Sequence, residues 1–389
     1  MRKIMVMNLG STSFKFKLFY MDAEETCIAS GGVENIGSAG SCAVTVRGKK
    51  VREACACQDH PGALARCMDL LEENGLPVAL ESLDALGYKA VHGGRISGAQ
   101  VVDDSLIREM ERMNGLAPAH NPVYLSMMRS MREKYPGLLQ IACFETAFHA
   151  TIPLFRAVYG VPYEWAERYG VRRYGFHGSS HSYIAWKMAR EAPWAKRVIS
   201  VHLGGSCSIC AILEGKSVAS SMGATPQSGV FHNNRVGDLD VFCLPLLAER
   251  LGGYDQAFRA LSKESGLLGL SGVSNDMRAV EQAAQDGNER AALAADAFLD
   301  SVVGYIGMYT AYLGGADAIC FTGGIGANDA DFRKRAAERL AFLGARVDDG
   351  LNAAGNGRIS AEDSGVSLWA FETNEELMVA RGCMTILEK

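Results

Sequence analysis

Two turns rich in glycine and serine have the composition of phosphate-binding sites. The first, N-L-G-S at residues 8–11, follows one apolar stretch, and the second, H-L-G-G at residues 202–205, follows another. Such a turn exposes backbone N–H groups with little side-chain bulk, so a phosphate can approach it closely. A single turn of this kind is most often a plain hairpin. Two copies separated by 194 residues (202 − 8) indicate an internal repeat with a shared use.

A third glycine run, G-G-I-G at residues 323–326, lies between a predicted strand and a predicted helix. This arrangement suits a nucleotide that lies against the backbone at a helix N-terminus. The whole chain carries a net charge of −5 at pH 7, so it has no general attraction for nucleic acid or acidic membranes. An anionic substrate must therefore be held by local basic residues.

Two short patterns point to other kinds of site. His177 and His181 are four residues apart, as in a zinc pair, but the glutamate of H-E-x-x-H is missing and Gly178 disfavours a helix there. Cys207 and Cys210 form a C-x-x-C in a strand-like segment, whereas the redox motif lies at a helix start. The sequence therefore favours neither a zinc site nor a redox pair.

The cysteine content and the N-terminus bear on location. Eleven cysteines, odd in number and mostly inside apolar runs, fit reduced thiols. The apolar run near Met1 is too short for a signal peptide. The apolar segment 301–316 contains several glycines and indicates a buried helix rather than a membrane span. We expect a cytoplasmic protein.

Strand and helix patterns alternate along the chain, which predicts an α/β fold with sheets covered by helices. A chain of 389 residues exceeds one ordinary core, so we predict two domains. A capping box, T-N-E-E at residues 373–376, places Glu375 in the first turn of the last helix. Strands are predicted at 85–92, 138–144, 197–203 and 316–322, and helices at 63–75, 122–134, 180–192, 243–264, 277–286, 291–312, 330–343 and 374–388.

Nine segments resemble motifs of the acetate kinase family and occur in that family's order. They are 8–15 (NLGSTSFK), 90–94 (AVHGG), 116–122 (LAPAHNP), 144–149 (FETAFH), 172–181 (RRYGFHGSSH), 202–206 (HLGGS), 271–278 (SGVSNDMR), 321–328 (FTGGIGAN) and 373–376 (TNEE). The resemblance implies the fold of actin, hexokinase and Hsp70, with two related domains that contain ribonuclease-H-like mixed sheets. It also implies an N-terminal domain at 1–150, completed by helix 374–389, and a nucleotide-binding domain at 151–373 that forms a homodimer.

The resemblance implies ATP-dependent phosphorylation of a short-chain carboxylate, acetate or propionate, to an acyl phosphate and ADP. A carboxylate has a pKa of roughly 4–5 and is already ionised at pH 7, so it needs no general base. The enzyme must instead supply positive charge, a metal ion, in-line alignment and exclusion of water. The implied cofactor is Mg²⁺ or Mn²⁺, with ATP as co-substrate.

The resemblance also assigns roles at matching positions, where the guanidinium of Arg235 offers a planar fork of donors to phosphate oxygens. The implied catalytic residues are His120, Glu145, His177 and Arg235, and the implied metal ligands are Asn8 and Glu375. The implied acyl pocket contains Lys89, Val91, Ala119, Phe176 and Pro226. The implied ATP-binding residues are Ser11, Ser13, Lys15, His202, Leu203, Gly204, Gly205, Ser206, Asp276, Met277, Arg278, Gly324, Ile325, Gly326, Ala327 and Asn328.

Two of these assignments have simpler structural alternatives. His120 could cap a helix that starts before Pro122. Asp276 and Arg278 could form a helix cap with an ion pair. The sequence alone leaves both alternatives open.

The chain departs from the family's pattern at several of these positions. Lys89 replaces an arginine and keeps its charge but loses the bidentate fork, and Glu145 replaces an aspartate. Gly205 replaces an asparagine whose amide reaches phosphate, and Ala327 replaces a glutamate. Ala119 replaces a leucine, which widens the expected acyl pocket.

The departures leave two alternatives to an ordinary acetate or propionate kinase. One is the same chemistry on a longer or hydroxylated acid, favoured by Lys89, Ala119 and the polar residues 232–234. The other is a catalytically impaired nucleotide-binding homologue, supported only by the changes at Glu145 and Gly205. We expect neither nucleic acid nor a membrane as a partner.

Overall fold

The computed structural model describes every residue from 1 to 389. The chain forms two compact units, one made of residues 1–148 and 374–389 and the other of residues 149–373. Each unit contains a mixed β-sheet and a hydrophobic core of its own.

The first unit is built on one sheet of eight strands. The strands are β1 (Arg2–Leu9), β2 (Ser13–Met21), β3 (Thr26–Glu34), β4 (Gly40–Val46), β5 (Lys49–Cys55), β6 (Ala85–Ala90), β7 (Ala99–Val101) and β8 (Gln140–Phe144). Their order is β5-β4-β3-β2-β1-β6-β8-β7, in which β1 to β5 are antiparallel and β6 and β8 continue parallel to β1. The α-helices of this unit are α1 (His60–Glu73), α2 (Asp104–Arg112), α3 (Asn121–Lys134) and the C-terminal α15 (Glu375–Leu387).

The second unit is built on a sheet of six strands in the order β11-β10-β9-β12-β14-β13. These strands are β9 (Arg197–Leu203), β10 (Cys207–Leu213), β11 (Lys216–Ser220), β12 (Ala318–Thr322), β13 (Gly357–Arg358) and β14 (Ser367–Ala370). Its α-helices are α4 (Leu154–Ala157), α5 (Tyr163–Tyr169), α6 (Gly178–Glu191), α7 (Leu244–Leu251), α8 (Tyr254–Lys263), α9 (Gly266–Ser271), α10 (Met277–Gln285), α11 (Glu289–Leu313), α12 (Gly323–Asn328), α13 (Ala330–Arg339) and α14 (Asp349–Ala354).

The two sheets share one topology. In each, three antiparallel strands are followed by two that run parallel to the third, giving β3-β2-β1-β6-β8 and β11-β10-β9-β12-β14. The central strands β1 and β9 are buried on both faces, which explains their nearly continuous apolar sequences. This duplicated mixed sheet confirms the predicted fold class, and the repeated turns are the β1–β2 and β9–β10 hairpins.

Helix α11 contains most of the apolar segment predicted to be a buried helix. By length and composition it is the one helix that could cross a membrane, with a mean hydropathy of 1.4 in its most apolar part. Phe298, Val302 and Ile306 on this helix have no exposed surface and belong to the core of the second unit. Helix α11 is therefore a core helix of that unit.

Two helical predictions were wrong in detail. The segment 243–264 is two helices rather than one, because Gly252 and Gly253 between them have φ values of 89° and 138°. Such left-handed angles end a helix at low cost only when glycine provides them. The N-cap residue of the last helix also differs from the prediction: it is Asn374, which makes no side-chain capping bond, rather than Thr373, although Glu375 does begin the helix.

Candidate active site

The first glycine–serine turn joins β1 to β2 in the first unit. Asn8 and Lys15 are paired across this hairpin, and the N–H of Gly10 donates to the carbonyl of Ser13 at 2.9 Å. Ser11 and Lys15 are exposed. Their hydroxyl and ammonium groups are therefore accessible to a phosphate.

Two side chains from neighbouring helices hold this turn. The N–H of Leu9 donates to the hydroxyl of Tyr124 on α3 at 3.0 Å, and burial raises the pKa of Tyr124, so its hydroxyl stays neutral. Nε2 of His60, the first residue of α1, lies 2.8 Å from the carbonyl oxygen of Gly10. The turn is therefore positioned before any ligand binds.

The second turn joins β9 to β10 at the matching place in the second unit. His232 is completely buried beside it, and its Nδ1 accepts a hydrogen bond from the N–H of Cys207 at 2.8 Å. Burial, reinforced by the charge of Arg235, lowers the pKa of His232 to about 3, so the ring is neutral. The polar segment around His232 thus supports the second turn.

The second turn borders a cavity of about 750 Å³, a size suited to a nucleotide. The third glycine run, at residues 323–326, approaches this cavity from the end of β12. Gly323 has a φ of 79°, and a Cβ there would lie 2.4 Å from the carbonyl oxygen of Leu203, so only glycine permits this approach. The lining residues are Gly204, Gly205, Asn233, Asn275, Asp276, Met277, Arg278, Glu281, Gly324, Ile325, Asn328, Asp329 and Ala330.

Eight of the residues predicted to bind ATP line this cavity. Five others in the same unit do not: His202, Leu203, Ser206, Gly326 and Ala327. Leu203 and Ala327 are buried, and the hydroxyl of Ser206 lies near Arg235 instead. The lining of this cavity therefore does not support a nucleotide contact for these five residues.

Charged residues on two helices face the cavity. Asp276 caps α10 by accepting from the N–H of Arg278 at 3.0 Å and also pairs with its guanidinium, which is the structural alternative considered from sequence. Both residues nevertheless line the cavity. Burial and the neighbouring Asp329 raise the pKa of Glu281 to about 7, which limits the negative charge that faces an anionic nucleotide.

Arg235 lies beside the second turn and forms no ion pair with a carboxylate. Its Nη1 donates to the hydroxyl of Ser206 at 3.2 Å and to the carbonyl of Pro226 at 3.0 Å. Burial lowers the pKa of the guanidinium, but a group with an ordinary pKa above about 12 remains charged at neutral pH. Its positive charge is therefore not compensated by the protein.

His177 immediately precedes α6 and has a left-handed backbone, with φ of 56° and ψ of 30°. The expectation that Gly178 disfavours a helix was wrong, because α6 begins at Gly178, where the N–H needs no intrahelical partner. Nδ1 of His177 lies 2.7 Å from the hydroxyl of Ser208, and Nε2 of His181 lies 2.8 Å from the same hydroxyl. The two histidines therefore share one serine.

A buried charge cluster lies in the first unit. The side chains of Glu145, Lys89 and Glu375 are 5%, 13% and 14% exposed. The ammonium of Lys89 lies 3.8 Å from the carboxylate of Glu145 and forms a close ion pair with Glu375. Burial opposes the charge of Lys89, but attraction to both carboxylates outweighs it and raises the pKa of the lysine.

The same cluster offers oxygen ligands of the kind that a divalent cation binds. Mg²⁺ prefers oxygen ligands and is often held by one or two carboxylates together with substrate phosphates and water. Glu145 and Glu375 provide such carboxylates, and no group of three or more His, Cys, Asp or Glu side chains forms a closed metal site. The donor set therefore fits a cation shared with a nucleotide.

The other residues predicted for the acyl pocket are divided between the units. Val91 is partly buried and Ala119 is exposed in the first unit, whereas Phe176 and Pro226 are buried in the second. His120 occupies the N-cap position of α3, yet its side chain makes no capping bond. The capping alternative therefore holds for its backbone position only.

Comparison with known proteins decides the family. A model described as "Acetokinase family" matches residues 3–381. The chain belongs to the acetokinase family. It is 41% identical to the acetate kinase of Halothermothrix orenii, across 99% of this chain and 100% of that protein. It is 42% identical to the propionate kinase of Citrobacter rodentium, across 99% of this chain and 96% of that protein.

Solved structures agree with this acetokinase assignment. The acetate kinase of Porphyromonas gingivalis is 35% identical, with a TM-score of 0.89 and 100% of both chains covered. A propionate kinase from Francisella tularensis is 34% identical, with a TM-score of 0.91 and coverage of 98% of this chain and 99% of that one. The predicted family and the predicted reaction class, phosphoryl transfer to a carboxyl group, are confirmed.

Gly205 is a departure from the acetokinase pattern that the structure helps to explain. A side chain at this position would meet only Nδ2 of Asn233, at 3.9 Å, so lack of space is not the reason for glycine. Asn233 lines the same cavity. Its side-chain amide lies next to Gly205, where the family has the amide of an asparagine. The sequence marks Asn233 only as part of a polar segment and gives no signal that it lines the cavity.

Three further polar residues support the acetokinase motifs and were not identified from sequence. Asn121 is completely buried and donates to the carbonyl of His92 at 2.9 Å, which ties two of the motifs together. Lys17 donates to the side chain of Asn374 at 2.9 Å, next to the start of α15. Ser208 contacts His177, which precedes α6, and His181 on that helix. Their only sequence signal was their position inside or beside a motif.

Proposed function

We propose that the chain phosphorylates a short-chain carboxylate, acetate or propionate, with ATP, giving an acyl phosphate and ADP by reversible, in-line transfer. The observation that carries the proposal is the match to the acetokinase family over residues 3–381. The duplicated hairpins, the cavity beside the second one and the uncompensated charge of Arg235 support it. No observation favours a non-catalytic nucleotide-binding role.

The proposed reaction needs stabilisation of charge rather than a general base, because the acid is already ionised. Arg235 would bind oxygens of the transferring phosphoryl group through its planar fork of donors. His177 would donate a hydrogen bond to the same group. His120 and Glu145 complete the proposed catalytic set, with Glu145 organising charge rather than accepting a proton.

Mg²⁺ or Mn²⁺ would be held by Asn8 and Glu375, with Glu145 nearby. When bound, the ion would neutralise part of the charge on the phosphates of ATP and align them. Lys89 compensates the two carboxylates in the structure described here, which keeps a buried anionic pair from destabilising the fold. The first hairpin would contact the phosphates through Ser11, Ser13 and Lys15.

The choice of acid is proposed from the residues expected at the acyl pocket. The similarity to an acetate kinase and to a propionate kinase is equal within one percentage point, so it does not decide between these acids. Ala119, which stands where the family has leucine, favours an acid at least as large as propionate. His232 is buried against the second hairpin, so its position gives no support to a longer or hydroxylated acid.

The assembly and location are also proposals. A homodimer through the second unit is supported by large apolar side chains exposed there, such as Phe155, Phe242 and Phe258. Free cysteines throughout the chain support a reducing, cytoplasmic location. Light scattering coupled to gel filtration tests the assembly: a dimer mass is expected, and a monomer mass at micromolar concentration would contradict it.

The central experiment is a hydroxamate-trapping assay with ATP and Mg²⁺ across acetate, propionate, butyrate and their hydroxy derivatives. Hydroxylamine captures acyl phosphates, so it reports product directly. We expect product with acetate and propionate, and none without ATP or with EDTA. Absence of product with every acid, from protein that still binds ATP, would refute the proposed function.

A further inference from the structure

A chain of buried hydrogen bonds lies behind His177 in the second unit. The hydroxyl of Ser208 lies 2.7 Å from Nδ1 of His177 and 2.8 Å from Nε2 of His181. Nδ1 of His181 lies in turn 2.8 Å from the hydroxyl of Ser200. Ser208, His181 and Ser200 have no exposed surface, so water does not replace any of these contacts.

The fold assembles this chain from two short periodicities. Ser200 and His202 are two residues apart on β9 and therefore lie on the same face of the sheet. Ser208 is the partner of His202 across the β9–β10 ladder. His181 lies one helical turn after His177 on α6 and reaches the two serines from above that face.

Counting protons limits how the chain can be arranged. A neutral imidazole has one donor and one acceptor nitrogen, and a hydroxyl donates only once. Burial lowers the pKa of His181 well below its ordinary value, so this ring is neutral. Two arrangements satisfy this count: either Ser208 donates to His177, His181 to Ser208 and Ser200 to His181, or the direction of all three bonds is reversed. Successive bonds of this kind polarise and strengthen one another.

We propose that Ser208 is a positioning residue that keeps the proton of His177 on Nε2 and fixes the ring for phosphoryl transfer. This inference rests on the role proposed above for His177. With Nδ1 accepting from Ser208, Nε2–H becomes the donor nitrogen that an anionic phosphoryl group requires. His202 packs against the ring, with centroids 4.3 Å apart, and is itself held by Ser180 at 2.7 Å.

The backbone of His177 gives an independent reason why the ring needs such support. A left-handed conformation is unfavourable for residues with a Cβ and persists where the surroundings determine it. The bond to Ser208 is one of the contacts that hold this residue in place. Loss of the bond should therefore misorient the ring without removing it.

The kinetic test is Ser208→Ala. We expect kcat to fall about tenfold to a hundredfold, with the KM values for ATP and the acid changed far less, because ring orientation matters at the transition state. The matched control is Ser217→Ala. It removes another buried hydroxyl, which lies 2.8 Å from Nδ1 of His149 and is not part of the Ser200–His181–Ser208–His177 series of hydrogen bonds. Ser200→Ala should lower kcat by less than Ser208→Ala and by more than Ser217→Ala. Equal effects of Ser208→Ala and Ser217→Ala would overturn the proposal.

A second test is independent of activity. Long-range proton–nitrogen NMR spectra of ¹⁵N-histidine-labelled protein distinguish the two neutral tautomers, and His177→Asn identifies the signals of His177. We expect the Nε2–H tautomer in the wild type and a mixture in Ser208→Ala. An Nδ1–H tautomer in the wild type, or no change in the variant, would overturn the proposal. If the wild type forms no acyl phosphate, the proposed function fails while this spectrum still decides the role of Ser208.

Discussion

Lys89 in the first unit and Arg235 in the second are both cations that lie largely out of solvent, yet their surroundings are opposite. Lys89 contacts two carboxylates, those of Glu145 and Glu375, and this attraction raises its pKa. Arg235 contacts only neutral oxygen acceptors, and burial lowers its pKa. One charge is compensated inside the protein, and the other is not.

This difference separates two uses of positive charge in one enzyme. A compensated cation balances the charge of buried acidic residues and keeps them ionised. An uncompensated cation held by fixed neutral acceptors is available to charge that develops during a reaction, without reorganisation of the site. The first use predicts effects on stability, and the second predicts effects on turnover.

Removal of the uncompensated charge should have the largest effect. We expect Arg235→Ala to lower kcat by a factor on the order of 10²–10⁴, with a smaller change in the KM for ATP, because the charge matters most in the transition state. Arg235→Lys keeps the charge but not the planar fork of donors, so its kcat should lie between those of the wild type and Arg235→Ala. Steady-state kinetics decide this: weaker ATP affinity with unchanged kcat would make Arg235 a binding residue only.

Removal of the compensated charge should instead lower stability. We expect Lys89→Met to reduce the free energy of unfolding by about 3–5 kcal/mol, because two buried carboxylates then lack a counter-ion. Urea denaturation measures this quantity, and added Mg²⁺ with nucleotide should recover part of the loss. Lys89→Arg is the control that keeps the charge. A variant as stable as wild type without Mg²⁺ would remove the contrast between the two cations.

The second hairpin offers a sharper test through Asn233. We expect Asn233→Ala to raise the Kd for ATP by about tenfold, because one hydrogen bond to a charged group is worth roughly 1.5 kcal/mol. Gly205→Asn in that background should restore much of the affinity, since the missing amide returns at an adjacent position. Asn234→Ala is the matched control, because Asn234 does not line the cavity. Calorimetry that shows no rescue would contradict this exchange of roles.

The smallest expected effect concerns the acyl pocket. A buried methylene is worth about 0.8 kcal/mol, which corresponds to roughly a fourfold preference. We expect propionate to match or exceed acetate in kcat/KM, and Ala119→Leu to shift the ratio toward acetate by about that factor. Ala119→Val should give an intermediate ratio. A wild-type preference for acetate of about tenfold or more would show that another group fills the space.

The sequence predicted the parts of the fold whose signals are local. The β1–β2 and β9–β10 hairpins were found because glycine, serine and apolar strands recur at matching positions. Strands β3 to β5 were not predicted, since they contain many partly or fully exposed residues and lack a clear apolar run. Helix α11 was predicted because its apolar residues recur over a long segment that contains no proline.

The candidate site divides in the same way. Motif residues such as Gly204, Gly324 and Asp276 could be predicted because turns and caps depend on a few adjacent residues, and all three line one cavity. The ion pairs of Lys89 could not be predicted, because Glu145 and Glu375 reach it from β8 and α15, distant parts of the chain.

The sequence by itself therefore determined the duplicated α/β architecture, the glycine turns and the class of chemistry. Tertiary structure alone decided which charges are compensated, since Lys89 and Arg235 differ in their partners rather than in their local sequence. It also decided that Ser208 joins His177 to His181. Burial and long-range contacts set the electrostatic state of each group, and neither is encoded in the residues next to it.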